Sequence, residues 1–392
     1  MDNFKCLKKL KIYFLLIMKI RSRHKQNLIK SELLKLYKKT NPSLPTNLKK
    51  LIKINEQIFK KLSFPARFFK NLSVGNFACG TGEFCFVAAK NGAKTEGFDF
   101  NEISIDKAKK NSKKLNIRNC KFQVKEFFKV KKKYEFVICT AALHHLPNPY
   151  EGLSFLKSRV KKNGFLFVSF GLTSSNIQHN LMKLIVRNWG KDEKKIAQVS
   201  KFLFKNHIDR CVKYGLRKEA AVIDDQFVNS QHHYLDIDRI FKILDKNFSL
   251  HASWPPKYLP QGDSIMNLSI KRDEFFPSEL LWASKTHDDT ARLKKFLRRS
   301  NHNYFINLKK VLNNKRNTSI NEMLNKNNFL RDRNNFRYDN LDLGFDLNTH
   351  LYKFFDEVHK LLNFFGKKRT LNEARVYIKK TKYIFKGTNG LD

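Results

Sequence analysis

Short apolar runs alternate with helical stretches between residues 72 and 170. Five runs are typical of strands because they are rich in β-branched and aromatic residues and end at turn residues: 72–78, 94–98, 120–124, 136–140 and 165–170. The positions between them predict helices over 82–90, 103–115 and 150–160, with a turn at 161–164. This alternation predicts an α/β fold whose parallel sheet is covered by helices on both faces.

Helical patterns dominate on both sides of this region. Residues 20–70 precede it, 176–205 and 235–244 are the clearest helices after it, and a late strand is predicted at 265–270. We therefore expect three parts: a basic helical segment (1–70), an α/β domain (71–275) with a helical insert at about 171–247, and a basic, mostly helical C-terminal region (276–392). The pattern leaves open whether residues 281–392 cover a pocket or form a separate tail.

The composition adds a strong positive charge to this picture. The chain has 392 residues, with 78 Lys+Arg against 35 Asp+Glu and a formal net charge of +43. Its 36 Phe argue against a disordered polyelectrolyte. The charge is concentrated in residues 1–70 and 281–392 and is nearly balanced in 171–280. Two interpretations stay open: the basic ends bind nucleic-acid phosphates, or the A/T-rich codons of Lys, Asn and Ile reflect gene composition alone.

Cysteine spacing and the N-terminus bear on the compartment. The six cysteines form no C-x-x-C pair, which predicts reduced thiols and a cytoplasmic protein. The apolar run at 12–18 is too short for a membrane span, so we expect no transmembrane segment. Peripheral membrane contact by residues 5–20 is a weaker alternative, and Met18 is an alternative start to Met1.

A loop of small residues joins the first strand to the first helix. It consists of Ala78, Cys79, Gly80, Thr81 and Gly82. Small side chains let a ligand approach the backbone, and the helix N-terminus aims N–H groups at it. Asp99 ends the second strand, where a carboxylate can accept both hydroxyls of a ribose. The A-x-G-x-G spacing is one residue shorter than that of a dinucleotide-binding loop.

This loop, followed by Gly-Phe-Asp-Phe at 97–100, resembles that of the class I S-adenosylmethionine-dependent methyltransferases. Stretches 122–127, 134–149 and 160–169 resemble further motifs of that family, in the same order. The motifs span about a quarter of the chain. The resemblance implies a doubly wound, mainly parallel Rossmann-like methyltransferase sheet with helical N-terminal and C-terminal additions. It also implies an antiparallel final hairpin strand and S-adenosyl-L-methionine as methyl donor.

The resemblance also assigns cofactor contacts and shows two departures. Besides the loop and Asp99, it implies contacts at Phe100, at Glu126 with the adenine amino group, at Phe127 with the base, and at Thr140. Ala78 replaces the first loop glycine of the family. Asn76 replaces the usual acidic residue of the first strand, which removes a charge near the cofactor's amino end.

Polar residues after the fourth and fifth strands are the candidate acceptor contacts. His144 and His145 lie where ligands bind in such sheets, as a general base or to orient an acceptor; the alternative is a helix cap or a cofactor contact. In the charge-balanced region the candidates are Gln226, Phe227, His232 and Tyr234. This mixture suits a polar small molecule, and a simple turn is the alternative. Because no third and fourth ligand are recognisable, we expect no metal.

The leading hypothesis is methyl transfer by in-line displacement to a small molecule. Oxygen or carbon acceptors are favoured because residues 140–143 lack the N-P-P-Y or D-P-P-Y sequence of many amino-group methylases. One alternative is a methyltransferase for RNA or another macromolecule that uses the basic termini. Another is a binding protein that keeps the fold without turnover. The sequence does not determine the acceptor, the use of a base, or the oligomeric state.

Overall fold

The computed structural model describes most of the chain's central region and part of its C-terminal region. The described residues are 31–39, 44–171, 177–190, 192–229, 232–235, 237–244, 247–252, 320, 345–382 and 384–385. The apolar run at 12–18, the predicted strand at 265–270 and most of 281–344 lie outside them.

A five-stranded sheet forms the centre of the fold. Its strands are β1 (Ser73–Phe77), β2 (Lys94–Asp99), β3 (Cys120–Val124), β4 (Tyr134–Thr140) and β5 (Val160–Ser169). Their order is β3-β2-β1-β4-β5, and all four pairings are parallel. The predicted doubly wound α/β sheet is thus confirmed. The described residues contain no antiparallel strand.

Helices connect the strands, and two of the three begin at polar caps. The three helices are α3 (Glu83–Lys90), α4 (Glu102–Lys114) and α5 (Pro149–Ser158). The Asn101 side chain accepts a hydrogen bond from the Ile103 N–H at 3.1 Å, which starts α4. The Asn148 side chain accepts from the Glu151 N–H, and Pro149 occupies the first position of α5. These local signals explain why the helix positions follow from the sequence.

Two predicted elements differ from the structure. The turn predicted at 161–164 lies within β5, where the pairing passes from Tyr134–Val160 to Phe136–Phe165. The extra residues form an irregularity in the strand, with Asn163 in the left-handed region at a φ of 60°. The single helix predicted over 176–205 is two helices, α6 (Ile177–Trp189) and α7 (Glu193–Gly215). Asp192 caps the second of them by accepting from the Lys195 N–H at 2.8 Å.

The segment before β1 packs on the sheet. Residues 31–39 form helix α1, and Leu48–Lys61 form α2. Ile52 and Phe59 of α2 are buried in the same hydrophobic cluster as residues of β1, α3 and β4. The Phe59 ring lies 5.4 Å from Phe84 and 6.0 Å from Phe136. Because α2 shares the core of the sheet, the predicted boundary at residue 70 divides a single packing unit.

The insert and the described C-terminal helices share a second core. The insert continues with α8 (Glu219–Ile223), a π-helical turn (Asp224–Val228) and α9 (Ile237–Leu244), and the C-terminal helices are α10 (Phe345–Gly366) and α11 (Leu371–Lys380). Leu361 and Phe365 of α10 and Ile378 of α11 are buried in one cluster with α6 and α7. This part of the C-terminal region therefore packs against the insert.

The described helices include no candidate membrane span. None of them combines the length and the apolar composition that crossing a bilayer would require.

Candidate active site

The loop at residues 78–82 leaves β1 at the carboxyl edge of the sheet with a strained backbone. Ala78 and Gly80 both have a φ of 54°, and Gly82 has a φ of 91° at the start of α3. Glycine adopts such angles freely, whereas an alanine at this φ costs about 1–2 kcal/mol. The Cys79 N–H donates to the Phe98 carbonyl at 3.0 Å, which ties the loop to β2.

Asp99 holds the loop from the end of β2. Its Oδ2 accepts from the Gly80 N–H at 2.9 Å, and its Oδ1 accepts from the Asn101 N–H at 2.9 Å. Burial raises the pKa of Asp99 to about 6, while backbone hydrogen bonds from Asn101, Gly80 and Phe100 oppose the rise. Each carboxylate oxygen retains a second lone pair, so the group can accept a ligand hydroxyl while it holds the loop.

Phe122 of β3 was not singled out from the sequence, yet it packs against the loop. A Cβ atom placed on Gly82 would lie 2.8 Å from the Phe122 ring, and one placed on Gly97 would lie 2.7 Å from it. The absence of a side chain at Gly82 and Gly97 therefore leaves space for the Phe122 ring. An aromatic side chain directly across from glycines on neighbouring elements is the signal that could have identified it.

Two further polar groups beside the loop are buried. The Asn76 side chain is 2% exposed, and its Nδ2 lies 3.5 Å from the Cys85 sulfur. Its Oδ1 has no hydrogen-bond partner within the described part of the chain. Glu83 is 9% exposed and accepts a hydrogen bond from the Thr81 hydroxyl. Burial raises the pKa of Glu83 to about 7.

The other predicted cofactor contacts follow their strands at the same edge. Glu126 comes two residues after β3 and pairs with Lys129 at 3.4 Å. The Phe127 ring lies 5.7 Å from Phe77 of β1. Thr140 is the last residue of β4. Phe100 follows Asp99 directly and is partly buried.

The structure brings the histidines after β4 together with His232 of the insert. The ring centroids of His144 and His145 are 4.1 Å apart, and those of His145 and His232 are 4.9 Å apart. The His233 N–H donates to the His144 carbonyl at 2.7 Å, which joins the two segments. Burial, with neighbouring positive groups, holds the pKa of His144 and His232 well below the usual range. Both imidazoles are therefore neutral at pH 7.

Helix α6 contributes a lysine and a histidine that sequence reasoning missed. Lys183 is 6% exposed, and its Nζ lies 2.6 Å from the Asn229 carbonyl oxygen and 3.0 Å from His232 Nδ1. Burial holds the pKa of Lys183 well below its usual range. His179 Nδ1 lies 2.6 Å from the Tyr234 hydroxyl. Their spacing of four residues places both on one face of α6, which is the signal that the sequence contained.

A tyrosine from the N-terminal segment completes the cluster. The Tyr37 ring of α1 packs edge-on against His145, with centroids 6.3 Å apart. Burial raises the pKa of Tyr37, and the neighbouring Asp225 raises it further. Asp225 itself pairs with Arg217 at 2.8 Å. The basic N-terminal segment thus contributes to the candidate site.

The side chains of Gln226 and Phe227 pack against α6 and α7 rather than against His144, His145 and His232. The Phe227 ring is fully buried and stacks on Phe204 with centroids 6.2 Å apart, so it is a core residue of the insert. The Gln226 Oε1 lies 2.6 Å from His207 of α7. The expectation that these two side chains line the acceptor pocket is therefore not met by their packing, whereas His232 and Tyr234 do join the cluster.

Sequence comparisons match the central part of the chain to methyltransferases. Residues 69–215 match the family model of a methyltransferase domain. The chain is 32% identical over 103 residues to the ubiquinone biosynthesis O-methyltransferase of Saccharophagus degradans, a match that covers 26% of this chain and 42% of that protein. The chain thus spans less than half the length of this curated relative.

Solved structures show partial similarity. Magnesium protoporphyrin IX methyltransferase from Synechocystis PCC 6803, solved with bound S-adenosylmethionine, has 24% identity and a TM-score of 0.28 over 31% of this chain and 58% of that chain. The YcgJ protein from Bacillus subtilis has 11% identity and a TM-score of 0.30 over 48% of this chain and 67% of that chain.

The family match, the order of the motifs and the parallel sheet together define residues 69–215 as a class I S-adenosylmethionine-dependent methyltransferase domain. This identification confirms the resemblance inferred from the loop and the motifs that follow it.

Proposed function

We propose that this protein transfers a methyl group from S-adenosylmethionine to a small molecule, with oxygen or carbon as the favoured acceptor atom. The observation that carries the proposal is the meeting of two groups of residues at one sheet edge. β1 lies between β2 and β4, so the loop after β1 has Asp99 on one side and the His144–His145 turn on the other. A donor site and an acceptor site are therefore adjacent.

The residues around the loop fit the methyl donor. Asp99 would accept the ribose hydroxyls, and the small residues at 78–82 would let a ligand approach the backbone. The buried Asn76 Oδ1 lacks a partner among the described residues and would accept from the amino group of the methionine part. Glu126 and Phe127 would contact the adenine. When bound, S-adenosylmethionine supplies an electrophilic methyl group on a sulfonium.

The acceptor side is a polar cluster of His144, His145, His232 and Tyr234. The His144 and His232 imidazoles are neutral, and a neutral imidazole can take the proton that a hydroxyl acceptor loses. Holding the acceptor oxygen in line with the methyl carbon would supply most of the acceleration. The curated relative is named as an O-methyltransferase, which supports an oxygen acceptor.

The first test is cofactor binding to the full chain. Isothermal calorimetry should show S-adenosylmethionine and its demethylated product binding to the wild type. Asp99→Ala should weaken binding tenfold or more, because a hydrogen bond to a charged group contributes about 1.5–3 kcal/mol. Asp106→Ala is the matched control, since Asp106 is exposed on α4. Absence of binding to the wild type at millimolar cofactor would refute the proposal.

The second test is methyl transfer itself. Radiolabelled cofactor, supplied with small phenols and hydroxy acids or with total RNA, distinguishes the acceptor classes. Transfer to a small molecule supports the proposal, and transfer to RNA alone contradicts it.

A further inference from the structure

We propose that His144, His145 and His232 bind a divalent transition-metal ion of the zinc type, at an open three-histidine site beside the methyl-donor loop. One nitrogen from each of these imidazoles lies within 4.8 Å of the others. The sequence analysis predicted no metal, because no third and fourth ligand are recognisable from it. Folding of the insert brings the third imidazole, 87 positions along the chain, onto that pair.

The separations between the three imidazole nitrogens can be compared with those in a zinc site. Zinc–nitrogen bonds of about 2.0–2.1 Å in a tetrahedral site place two ligand nitrogens about 3.3 Å apart. The three nitrogens lie within 4.8 Å of one another, so a bound metal would draw them closer by ring rotation. The His144 and His232 rings are nearly parallel, with centroids 5.5 Å apart, and the His145 ring is tilted against both.

The hydrogen bonds of His144 and His232 leave one nitrogen of each imidazole available to bind a metal. The Nδ1 of His232 lies 3.0 Å from Lys183 Nζ, so Nε2 is the ligand atom in the tautomer that carries the ring proton on Nδ1 and donates it to the Lys183 amine. The Nδ1 of His144 is buried and has no hydrogen-bond partner among the residues that the structure describes. A buried nitrogen without a partner is costly, and a bound metal ion would satisfy it.

The ligand segments are held in place before any metal binds. The His233 N–H donates to the His144 carbonyl at 2.7 Å, so the backbone on either side of the site is joined. Lys183 fixes the His232 ring from behind. A carboxylate oxygen of Asp225 lies 3.9 Å from His232 Nε2 and offers negative charge near the ion. Outer groups of this kind orient metal ligands in proteins.

The donor set determines the kind of ion. Three imidazole nitrogens suit Zn²⁺, Co²⁺ or Ni²⁺ better than Mg²⁺ or Ca²⁺, which prefer oxygen. Arg217 adds a positive group nearby, so we expect micromolar rather than nanomolar affinity. Three protein ligands leave a coordination position open. If the proposed function holds, an acceptor oxygen can occupy that position and lose its proton to solvent more easily, and the three imidazoles then act as ligands in place of a base.

Cobalt titration of the full chain tests the site directly. The protein is treated with chelator, desalted and titrated with Co²⁺, whose visible absorption intensifies in a four-coordinate nitrogen site, and Zn²⁺ then competes for the site. We expect one equivalent to bind and Zn²⁺ to displace it. His232→Ala and His144→Gln should each weaken binding at least tenfold. His251→Ala should not change it, because His251 is an exposed histidine that packs on Phe64.

The outcomes separate this proposal from the proposed function. Binding in the wild type and the His251 variant, lost in both cluster variants that retain wild-type circular dichroism, supports the site. Absence of a four-coordinate Co²⁺ spectrum in the wild type, or equal binding in all variants, overturns it. S-adenosylmethionine binding is measured by calorimetry on the same samples. A protein that binds the cofactor but no metal refutes the site alone, and the reverse result refutes the proposed function alone.

Discussion

Glu83 is a buried carboxylate beside the candidate cofactor loop, and Glu83→Gln should stabilise the protein at pH 8 but not at pH 4. The side chain is 9% exposed at the first position of α3, where it accepts a hydrogen bond from Thr81. Burial raises its pKa from 4.5 to about 7. At pH 8 the folded protein therefore holds a desolvated charge, whereas the unfolded chain exposes the same charge to water.

The magnitude follows from this pKa rise. Each tenfold change in proton affinity corresponds to about 1.4 kcal/mol, so ionisation in the folded state costs up to about 3 kcal/mol. Between pH 4.5 and pH 7 the folded state binds more protons than the unfolded state. The free energy of unfolding therefore falls as the pH rises through this window. Glutamine keeps an oxygen acceptor for Thr81 and cannot ionise, so the variant loses this part of the pH dependence.

Urea unfolding of the full chain, followed by circular dichroism at pH 4 and pH 8, measures the effect. The informative quantity is the difference in unfolding free energy between variant and wild type at each pH, since other titrating groups are common to both proteins. We expect this difference to be about 1–3 kcal/mol more favourable to the variant at pH 8 than at pH 4.

The control for this experiment is an exposed carboxylate on the next helix. The Glu102 side chain is 61% exposed and pairs with Lys38 at 3.0 Å. Because water already solvates it, Glu102→Gln should follow the wild type at both pH values. If Glu83→Gln also shows the same difference at pH 4 and pH 8, the burial argument is refuted.

Three further predictions concern the loop. Ala78→Gly should relieve the left-handed backbone and raise the unfolding free energy by up to about 1 kcal/mol, whereas Ala89→Gly inside α3 should lower it; thermal unfolding distinguishes the two. Gly97→Ala places a Cβ 2.7 Å from Phe122 and 2.9 Å from the Cys79 sulfur, so it should cost about 1–3 kcal/mol, and an unchanged melting temperature would contradict this packing. S-adenosylmethionine affinity should rise about tenfold from pH 5 to pH 7 as Asp99 ionises near pH 6, and calorimetry of Asp99→Asn should show a flat profile.

Much of the sheet was predictable because its signals are local. β3 begins and ends at the predicted residues, and β2 extends one residue further than predicted. Strand lengths and caps depend on neighbouring residues, such as the Asn148–Pro149 start of α5. The break between α6 and α7 was missed because the apolar period continues across it, although Gly190 and the Asp192 cap mark the end of one helix and the start of the next.

The donor side of the candidate site was predicted in outline, and its internal contacts were not. The loop and Asp99 are recognisable in the sequence, since a loop of small residues at this position has few other uses. The hydrogen bond from Gly80 to Asp99 depends on how two strands are aligned, so it became visible only in the structure.

The acceptor side of the candidate site was less predictable than the donor side. Phe227 was expected in the pocket and lies in the core, while Lys183, His179 and Tyr37 were not expected and lie in the cluster. An apolar ring can pack in a core or line a pocket, and composition does not distinguish the two. Burial against α7 does distinguish them.

The sequence by itself determined the class of fold, the donor loop and the family, because periodicity, turn residues and motif spacing act over a few residues. Only the tertiary structure decided which distant side chains share a site. His144 and His232 meet because the chain next to His232 is hydrogen-bonded to the His144 backbone, and Tyr37 of α1 packs against His145. Such contacts between distant side chains depend on how whole helices pack against the two hydrophobic cores. No short stretch of sequence encodes that packing.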